Sequence, residues 1–274
     1  MRLGLSSPLA HENAKDWAKR MVELGCRCVN FPIEATAPES VIADYVDAAH
    51  DNDLLIAEVG IWRNVLATDR QEREEARARA VRQLKLADEI GALCCANTSG
   101  TYGGPVWDGG YRENFSRECR EEVIRYTREL LDEVNPKNTK YSIEPMPWMI
   151  PTGPDDYLKL LQEVDREGMG VHMDFINMIN CPERYFFMDE FMDECFDKLG
   201  PLIDSCHLKD IKLLDDLTFQ LRETFCGDGI MNMEKYVSLI DKYNPEMPLI
   251  IEHLDTDQQY LDSLAYVKNR LGIN

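Results

Sequence analysis

Short apolar segments alternate with longer amphipathic segments along the chain. The apolar segments have the length of buried strands, and they read RLGLSS, CRCVNFP, LLIAEVG, ALCCANT, KYSIEP, MGVHMD, IDSCHL and PLIIEHL. The segments between them have helical periodicity and lie near residues 11–24, 38–52, 68–90, 114–134, 155–166, 184–199, 231–243 and 256–271. Eight strands in strict alternation with eight helices favour an α/β fold, one parallel sheet closed into a (β/α)8 TIM barrel.

An open, doubly wound sheet is the alternative fold. The first predicted strand is not followed by a GxGxxG motif, which disfavours the dinucleotide-binding form of that fold. No linker or low-complexity segment divides the sequence. We therefore expect residues 1–274 to form a single domain.

Three irregular segments follow predicted strands, at the end of a barrel where ligands bind. They lie at residues 98–113, 145–154 and 209–230. The first two contain YGGPVW and MPWMIP, and this aromatic content favours pocket walls over solvated turns. We expect Trp62, Trp107 and Trp148 to wall a pocket in which a sugar ring or an apolar aglycone could stack.

Composition and charge limit the partners of the protein. The 274 residues carry a net charge of −20, and such a surface repels the phosphate backbone of nucleic acids. No apolar run approaches a membrane span, and the N-terminus lacks the apolar stretch of a secretory signal. The nine cysteines include no CxxC pair, and several lie in apolar strand-like segments. We expect reduced cysteines and a cytoplasmic protein that does not bind membranes or nucleic acid.

Ionisable residues end four consecutive predicted strands, namely Glu144, Asp174, His207 and Glu252. Each has an ordinary interpretation when taken alone, as a strand-end carboxylate, a helix N-cap or a core histidine. In a barrel the four side chains would meet, and three buried carboxylates repel one another unless a cation lies between them. We therefore predict a site for one divalent metal ion. The oxygen-rich set suits Mn²⁺ first, with Mg²⁺ or Co²⁺ as alternatives, and suits Zn²⁺ less well.

The order Glu, Asp, His, Glu on strands five to eight, with CHLKD on the seventh, resembles the xylose isomerase-like barrels. It is most similar to the sugar phosphate isomerase/epimerase group, which includes ketose 3-epimerases, hydroxypyruvate isomerase-like proteins and inosose dehydratases. This resemblance implies that Glu144, Asp174, His207 and Glu252 bind the metal and that Glu144 and Glu252 form an acid/base pair. The implied reaction is proton transfer beside the carbonyl of a ketose or keto-polyol, through an enediolate. A homo-oligomer is a further expectation from the resemblance.

Two further side chains are predicted to act beside the metal ligands. Lys209 lies two positions after His207, so both side chains share one face of the strand. We expect Lys209 to neutralise or orient substrate oxygens. His172 lies two positions before Asp174 and should also point into the barrel, either as a contact of the substrate or metal ligands or as a core histidine.

Other candidates follow from their positions near strand ends. Glu58 and Asn97 close the third and fourth strands and should line the mouth with substrate-binding side chains. Arg222 lies shortly before GDG, where related epimerases often carry a substrate-binding arginine. His253 should lie on the strand face opposite Glu252 and pack under a helix.

The sequence departs from the ketose 3-epimerases at two places. Those proteins usually carry a histidine three positions after the strand-six aspartate, where this chain has Asn177. They tend to have a polar residue after the strand-five glutamate, where this chain has PMPW. Both changes leave the predicted metal ligands intact, and the substrate need not be a free ketohexose.

Other functions remain open at this stage. A lyase of the inosose dehydratase kind would use the same enediolate and lose water, whereas an isomerase conserves mass. A barrel that binds a carbohydrate, or serves as a partner subunit, would have no turnover. An endonuclease IV-like barrel needs a histidine-rich multi-zinc centre and a basic DNA-binding face, and five histidines with a charge of −20 argue against it.

Overall fold

The structure is a computed structural model that describes residues 1–273. Its strands are β1 Arg2–Leu5, β2 Cys28–Asn30, β3 Leu55–Gly60, β4 Cys94–Thr98, β5 Lys140–Glu144, β6 Met169–Met173, β7 Ile203–Leu208, β8 Asp210–Leu213, β9 Leu221–Thr224 and β10 Pro248–Ile251. Its α-helices are α1 Ala14–Glu23, α2 Glu39–Asp51, α3 Arg70–Ile90, α4 Arg117–Val134, α5 Pro154–Val164, α6 Pro182–Phe186, α7 Met188–Leu199, α8 Met233–Tyr243 and α9 Asp257–Leu271.

The parallel strands close into a barrel in the order β1-β10-β7-β6-β5-β4-β3-β2. Neighbouring strands are parallel, and the barrel closes where Leu3 of β1 lies beside Leu249 of β10. Helices follow the strands in alternation. The predicted (β/α)8 TIM barrel is therefore confirmed, and the open sheet is excluded.

Two elements differ from the sequence-based expectation. The segment 209–230, expected to be irregular, contains an antiparallel hairpin in which Lys212 of β8 pairs with Arg222 of β9. The helix expected near 184–199 is divided at Phe187 into α6 and α7. The hairpin strands DIKL and LRET are partly exposed and lack the buried apolar run by which the barrel strands are recognised from sequence.

The helices begin and end at side chains suited to those positions. The carboxylate of Asp69 accepts a hydrogen bond from the backbone N–H of Glu72 at the start of α3. Gly91 ends that helix with φ 69°, the left-handed conformation that glycine adopts most easily. Thr256 and Gln259 form a capping box at the start of α9. Within residues 1–273, no helix is long and apolar enough to cross a membrane.

The barrel strands are buried on both faces because helices cover the outside. All of β6 is buried, and the helices contribute large core side chains such as Trp17 and Leu84. The predicted metal ligands Glu144, Asp174, His207 and Glu252 lie at or near the carboxyl-terminal ends of these strands.

Asp210 attaches the hairpin to the end of β7. Its carboxylate accepts hydrogen bonds from the backbone N–H groups of Ile211 (2.9 Å), Gly227 (3.1 Å) and Met231 (2.9 Å). A Cβ at Gly229 would lie 2.2 Å from Asp210 Oδ1, so glycine is required for this close approach. The hairpin is thereby held over the carboxyl-terminal face of the barrel.

Candidate metal centre

Four buried side chains meet at the carboxyl-terminal ends of neighbouring strands. Glu144 ends β5, Asp174 follows β6, His207 lies near the end of β7, and Glu252 follows β10. One ligand atom from each of the four lies within 4.8 Å of every other. The strands carrying them are consecutive in the barrel, which explains why residues so distant in sequence meet.

The two ring nitrogens of His207 face different carboxylates. Nδ1 lies 2.8 Å from Glu252 Oε2 and 3.3 Å from Glu144 Oε1. Nε2 lies 3.2 Å from Glu58 Oε2, in the barrel interior. When Nε2–H donates to Glu58, the lone pair of Nδ1 points toward the strand-end carboxylates, as a metal-binding imidazole requires.

Lys209 contacts the outer oxygens of this group. Its ammonium lies 2.7 Å from Asp174 Oδ2, 2.7 Å from Glu252 Oε1 and 3.4 Å from Glu223 Oε2. Burial by itself lowers the pKa of Lys209, but Asp174 and Glu252 outweigh that effect and hold it well above its usual value. Lys209 is therefore a buried, charged partner of two of the predicted metal ligands.

The charge of the group matches a cation-binding site. Burial and the negative charge of Glu252 raise the pKa of Glu144 to about 8, so the carboxyl retains a proton at neutral pH when no metal is bound. Burial disfavours ionisation of Asp174, but Lys209 and His207 hold its pKa well below the usual range. The three carboxylates and the imidazole fit a divalent cation because its charge would allow all of the carboxylates to ionise together.

A second polar layer lies below the four residues. Glu58 accepts a hydrogen bond from the Ser205 hydroxyl, and its Oε1 lies 3.4 Å from His172 Nδ1. The His172 ring is fully buried, packs edge-on against His207 at 4.0 Å, and has no hydrogen-bond partner on either nitrogen. Burial lowers the pKa of His172 to about 4, so the ring is neutral. Glu58, His172 and His207 form a second group whose spacing could hold an ion.

The structure corrects the expected positions of Glu58 and Asn97. β3 continues to Gly60, so Glu58 lies inside the barrel instead of at its mouth. The side-chain amide of Asn97 accepts from the backbone N–H of Arg63 and donates to the backbone carbonyl of Arg63, at 3.1 Å each. Asn97 therefore fastens the loop after β3, and both ends of its amide group are engaged by the backbone of Arg63.

Two cavities open above the four strand-end residues. The first, about 410 Å³, is lined by Glu144 and Glu252 together with Trp62 and Trp107, and we call it the centre cavity. The second, about 510 Å³, is lined mostly by apolar side chains, among them Trp148, and we call it the apolar cavity. Both volumes lie within the usual range for small-molecule sites.

His253 and Arg222 do not lie where the sequence indicated. His253 is half exposed and lines both cavities, because β10 ends at Ile251 and the backbone of His253 turns into the left-handed region (φ 55°). Arg222 is exposed on β9, whereas its neighbours Leu221 and Glu223 line the apolar cavity. Alternation along a strand turns Arg222 away from the cavity, and Glu223 faces it instead.

Sequence reasoning missed several cavity residues. Asn177 Nδ2 donates to Glu144 Oε1 at 3.3 Å and also contacts Met146 Sδ at 3.4 Å. Asp108, Met146 and His253 line both cavities. The alternation in LRET would have indicated Glu223 if the hairpin had been recognised, whereas no local pattern indicates Asp108 or Met146.

The chain is a closed (β/α)8 barrel that carries carboxylates and an imidazole at the ends of consecutive strands. It therefore falls in the class of barrels whose polar centre suits a metal ion. A family model described as xylose isomerase-like TIM barrel matches residues 33–270. The chain belongs to this family. No curated protein sequence matches the chain.

Solved structures with the same fold include epimerases and a dehydratase. The probable 3-DHS dehydratase AsbF from Bacillus anthracis has a TM-score of 0.75 and 16% identity, with 100% of both chains covered. The 3-keto-D-glucoside 4-epimerase YcjR from E. coli has a TM-score of 0.67 and 16% identity, covering 98% of this chain and 99% of that one. A xylose isomerase-like TIM barrel protein from Mycobacterium smegmatis, in complex with magnesium, has a TM-score of 0.68 and 20% identity, covering 95% and 89%. At these identities the likeness establishes the fold.

Proposed function

We propose that this protein is a divalent-metal-dependent isomerase or epimerase that moves a proton beside the carbonyl of a ketose or keto-polyol. The observation that carries the proposal is the position of Glu144 and Glu252. Both carboxylates line the centre cavity, and both lie against His207. Two carboxylates beside one bound carbon can remove a proton and return one, which inverts the centre or moves the carbonyl.

Glu144, Asp174, His207 and Glu252 are the residues that would hold the metal. Bound there, a divalent ion would act as a Lewis acid that stabilises negative charge developing on the substrate carbonyl oxygen. We propose Mn²⁺ as the bound ion, with Mg²⁺ and Co²⁺ as alternatives. Zn²⁺ is the weakest candidate for this oxygen-rich set of ligands.

The surrounding side chains support the two carboxylates. Lys209 holds Asp174 and Glu252 in place through its two 2.7 Å contacts. Asn177 donates to Glu144 and orients that carboxyl toward the cavity.

A dehydratase is the second candidate, and the barrel of a probable dehydratase is among the similar structures. It would use the same first proton removal and then expel a β-hydroxyl as water. We also propose that the chain forms a single domain, which the one closed barrel supports, and that it is cytoplasmic, which the nine free cysteines support. A homo-oligomer remains a prediction.

The test is metal-dependent proton exchange in D₂O. The protein is stripped with chelator, loaded with Mn²⁺, and incubated with ketoses, keto-polyols and glycosides that carry a keto group on the sugar ring, while NMR follows deuterium at the carbon beside the carbonyl. We expect exchange that Glu252→Gln abolishes and that Glu118→Gln, a control on the exposed surface of α4, retains. A product of unchanged mass identifies an isomerase or epimerase, and loss of water identifies a dehydratase. Stoichiometric metal without exchange on any of these compounds would contradict the proposal.

A further inference from the structure

The apolar cavity has the character of a binding site for an uncharged, apolar group. Its walls come from the loop after β5, the turn after β6 and the hairpin, and they include Trp148, Ile176, Ile179, Ile211, Phe219 and Leu221. Trp148 Nε1 donates to the backbone carbonyl of Asp108 at 2.7 Å, so its only polar atom is already engaged. The indole ring therefore offers an apolar face of the kind on which aromatic groups stack.

This cavity adjoins the centre cavity. Asp108, Met146 and His253 line both, so the two spaces meet at these three side chains. Asn177, which lines the apolar cavity, donates to Glu144, which lines the centre cavity. The apolar cavity is therefore the neighbouring space for the rest of a ligand whose reacting carbon lies beside Glu144 and Glu252.

The charge around both cavities disfavours a phosphorylated ligand. Among residues 1–273, no lysine or arginine lines either cavity, whereas Asp108, Glu144, Glu223 and Glu252 do. The ammonium of Lys209 lies below them, almost fully buried and paired with three carboxylates. Apart from the proposed metal and from His253, which already pairs with Glu223 at 3.1 Å, a phosphate would meet carboxylates without a cation to pair with it.

We propose that the substrate is an uncharged keto-glycoside and that the apolar cavity binds its apolar aglycone. The proposal rests on the proposed function and narrows its substrate class. An aglycone blocks the anomeric carbon, so the carbonyl needed for proton transfer must lie on another carbon of the sugar ring. The ring then occupies the centre cavity beside Glu144 and Glu252, and the aglycone lies between Trp148 and the hairpin.

Binding measurements test the subsite independently of turnover. Mn²⁺-loaded protein is titrated with phenyl β-D-glucoside, methyl β-D-glucoside and glucose 6-phosphate, and calorimetry gives each Kd. We expect phenyl β-D-glucoside to bind at least 10-fold more tightly than the methyl compound, because the phenyl ring is removed from water. Glucose 6-phosphate should bind more weakly than either glycoside.

Two variants of the hairpin test whether the preference for the phenyl glycoside arises in the apolar cavity. Phe219→Ala and Leu221→Gln each alter a partly exposed wall residue, and each should reduce the phenyl-to-methyl affinity ratio toward 1. Leu202→Gln, an exposed leucine before β7, is the matched control and should keep the wild-type ratio. Equal affinity for the two glycosides in the wild type, or tighter binding of glucose 6-phosphate, would overturn the proposal.

The outcomes separate this inference from the proposed function. A phenyl preference that both hairpin variants abolish, without proton exchange on any keto compound, supports the subsite and contradicts the reaction. Exchange on small keto sugars without a phenyl preference supports the reaction and rejects the subsite. Exchange on phenyl 3-keto-glucoside with a lower KM than on the methyl compound supports both.

Discussion

His207 is held from both sides through its two ring nitrogens. Nδ1 faces Glu144 and Glu252, and Nε2 faces Glu58, whose carboxylate also accepts from Ser205. Burial opposes ionisation of Glu58, but the charge of His207 and hydrogen bonds from His207 and Ser205 outweigh it and lower the pKa of Glu58 to about 2. An ionised acceptor behind an imidazole fixes its tautomer and orientation. Glu58 is thus placed to position His207, although the sequence indicated a substrate contact.

Replacing Glu58 by alanine should weaken Mn²⁺ binding about 10–100-fold, because His207 would lose the acceptor that orients it. Glu58→Gln keeps an oxygen that can accept from Nε2–H and should lose less affinity. Calorimetric titration of the metal-free variants with Mn²⁺ measures both effects, with circular dichroism as a check on folding. Wild-type affinity in the folded alanine variant would show that Glu58 does not position the ring.

At the scale of elements, β6 and β7 change register between Val171 and His172, and the Asp204 side chain bridges the shift. Asp204 Oδ2 accepts from the backbone N–H of Val171 at 3.0 Å. Gly170 leaves room for this contact, since a Cβ there would lie 1.8 Å from the same oxygen. Burial raises the pKa of Asp204 to about 6 from the usual 3.8.

This raised pKa predicts a pH-dependent contribution to stability. Between pH 3.8 and 6 the folded chain holds the Asp204 proton more tightly than the unfolded chain, so the contribution is present at acid pH and lost as the pH rises through 6. Asp204→Asn does not titrate and keeps an oxygen for Val171. From pH 5 to pH 7.5, the free energy of unfolding of Asp204→Asn minus that of the wild type should increase by about 1 kcal/mol. This value is already lowered to allow for the partial exposure of Asp204.

Urea unfolding in chelator at the two pH values measures this difference. Asp215→Asn, at an exposed position of the hairpin turn, is the matched control and should show no such change. An Asp204→Asn effect that is the same at pH 5 and pH 7.5 would contradict a raised pKa for Asp204.

At the scale of the whole molecule, negative charge dominates both the surface and the barrel interior. The net charge is −20, and the pKa of Glu144, raised to about 8 by burial and by Glu252, reflects the cost of another buried negative charge. A divalent cation would relieve this repulsion. Since a ligand that binds only the folded state stabilises it, metal should increase the stability of the whole barrel.

Mn²⁺ at 100 times its Kd should add about 2.7 kcal/mol to the stability of the wild type, seen as a rise in Tm. Glu144→Gln should lose most of this response, while its Tm in chelator stays at or above that of the wild type, because a buried carboxyl has been removed. Differential scanning calorimetry with and without Mn²⁺ measures both, and Glu118→Gln is the surface control. A full metal response in Glu144→Gln would exclude that residue as a ligand.

Much of the fold could be predicted, whereas the site was predicted only in part. The alternation of strands with helices and the end of α3 at Gly91 could be predicted because both depend on residues close together in the sequence. The structure confirms both. Glu58 lies two residues before the end of its strand, which apolar periodicity cannot resolve. Arg222 lies in a hairpin that was not recognised in the sequence, and alternation along its strand β9 turns the side chain away from the cavity.

The sequence by itself determined the barrel and indicated which strands end in ionisable residues, because periodicity and strand-end chemistry are local properties. Only the tertiary structure decided that His207 lies between Glu58 and the strand-end carboxylates and that Lys209 pairs with Asp174 and Glu252. It also decided that His253 turns into the cavities. These features depend on strand register and on where each strand stops, which are set by pairing between segments far apart in the chain.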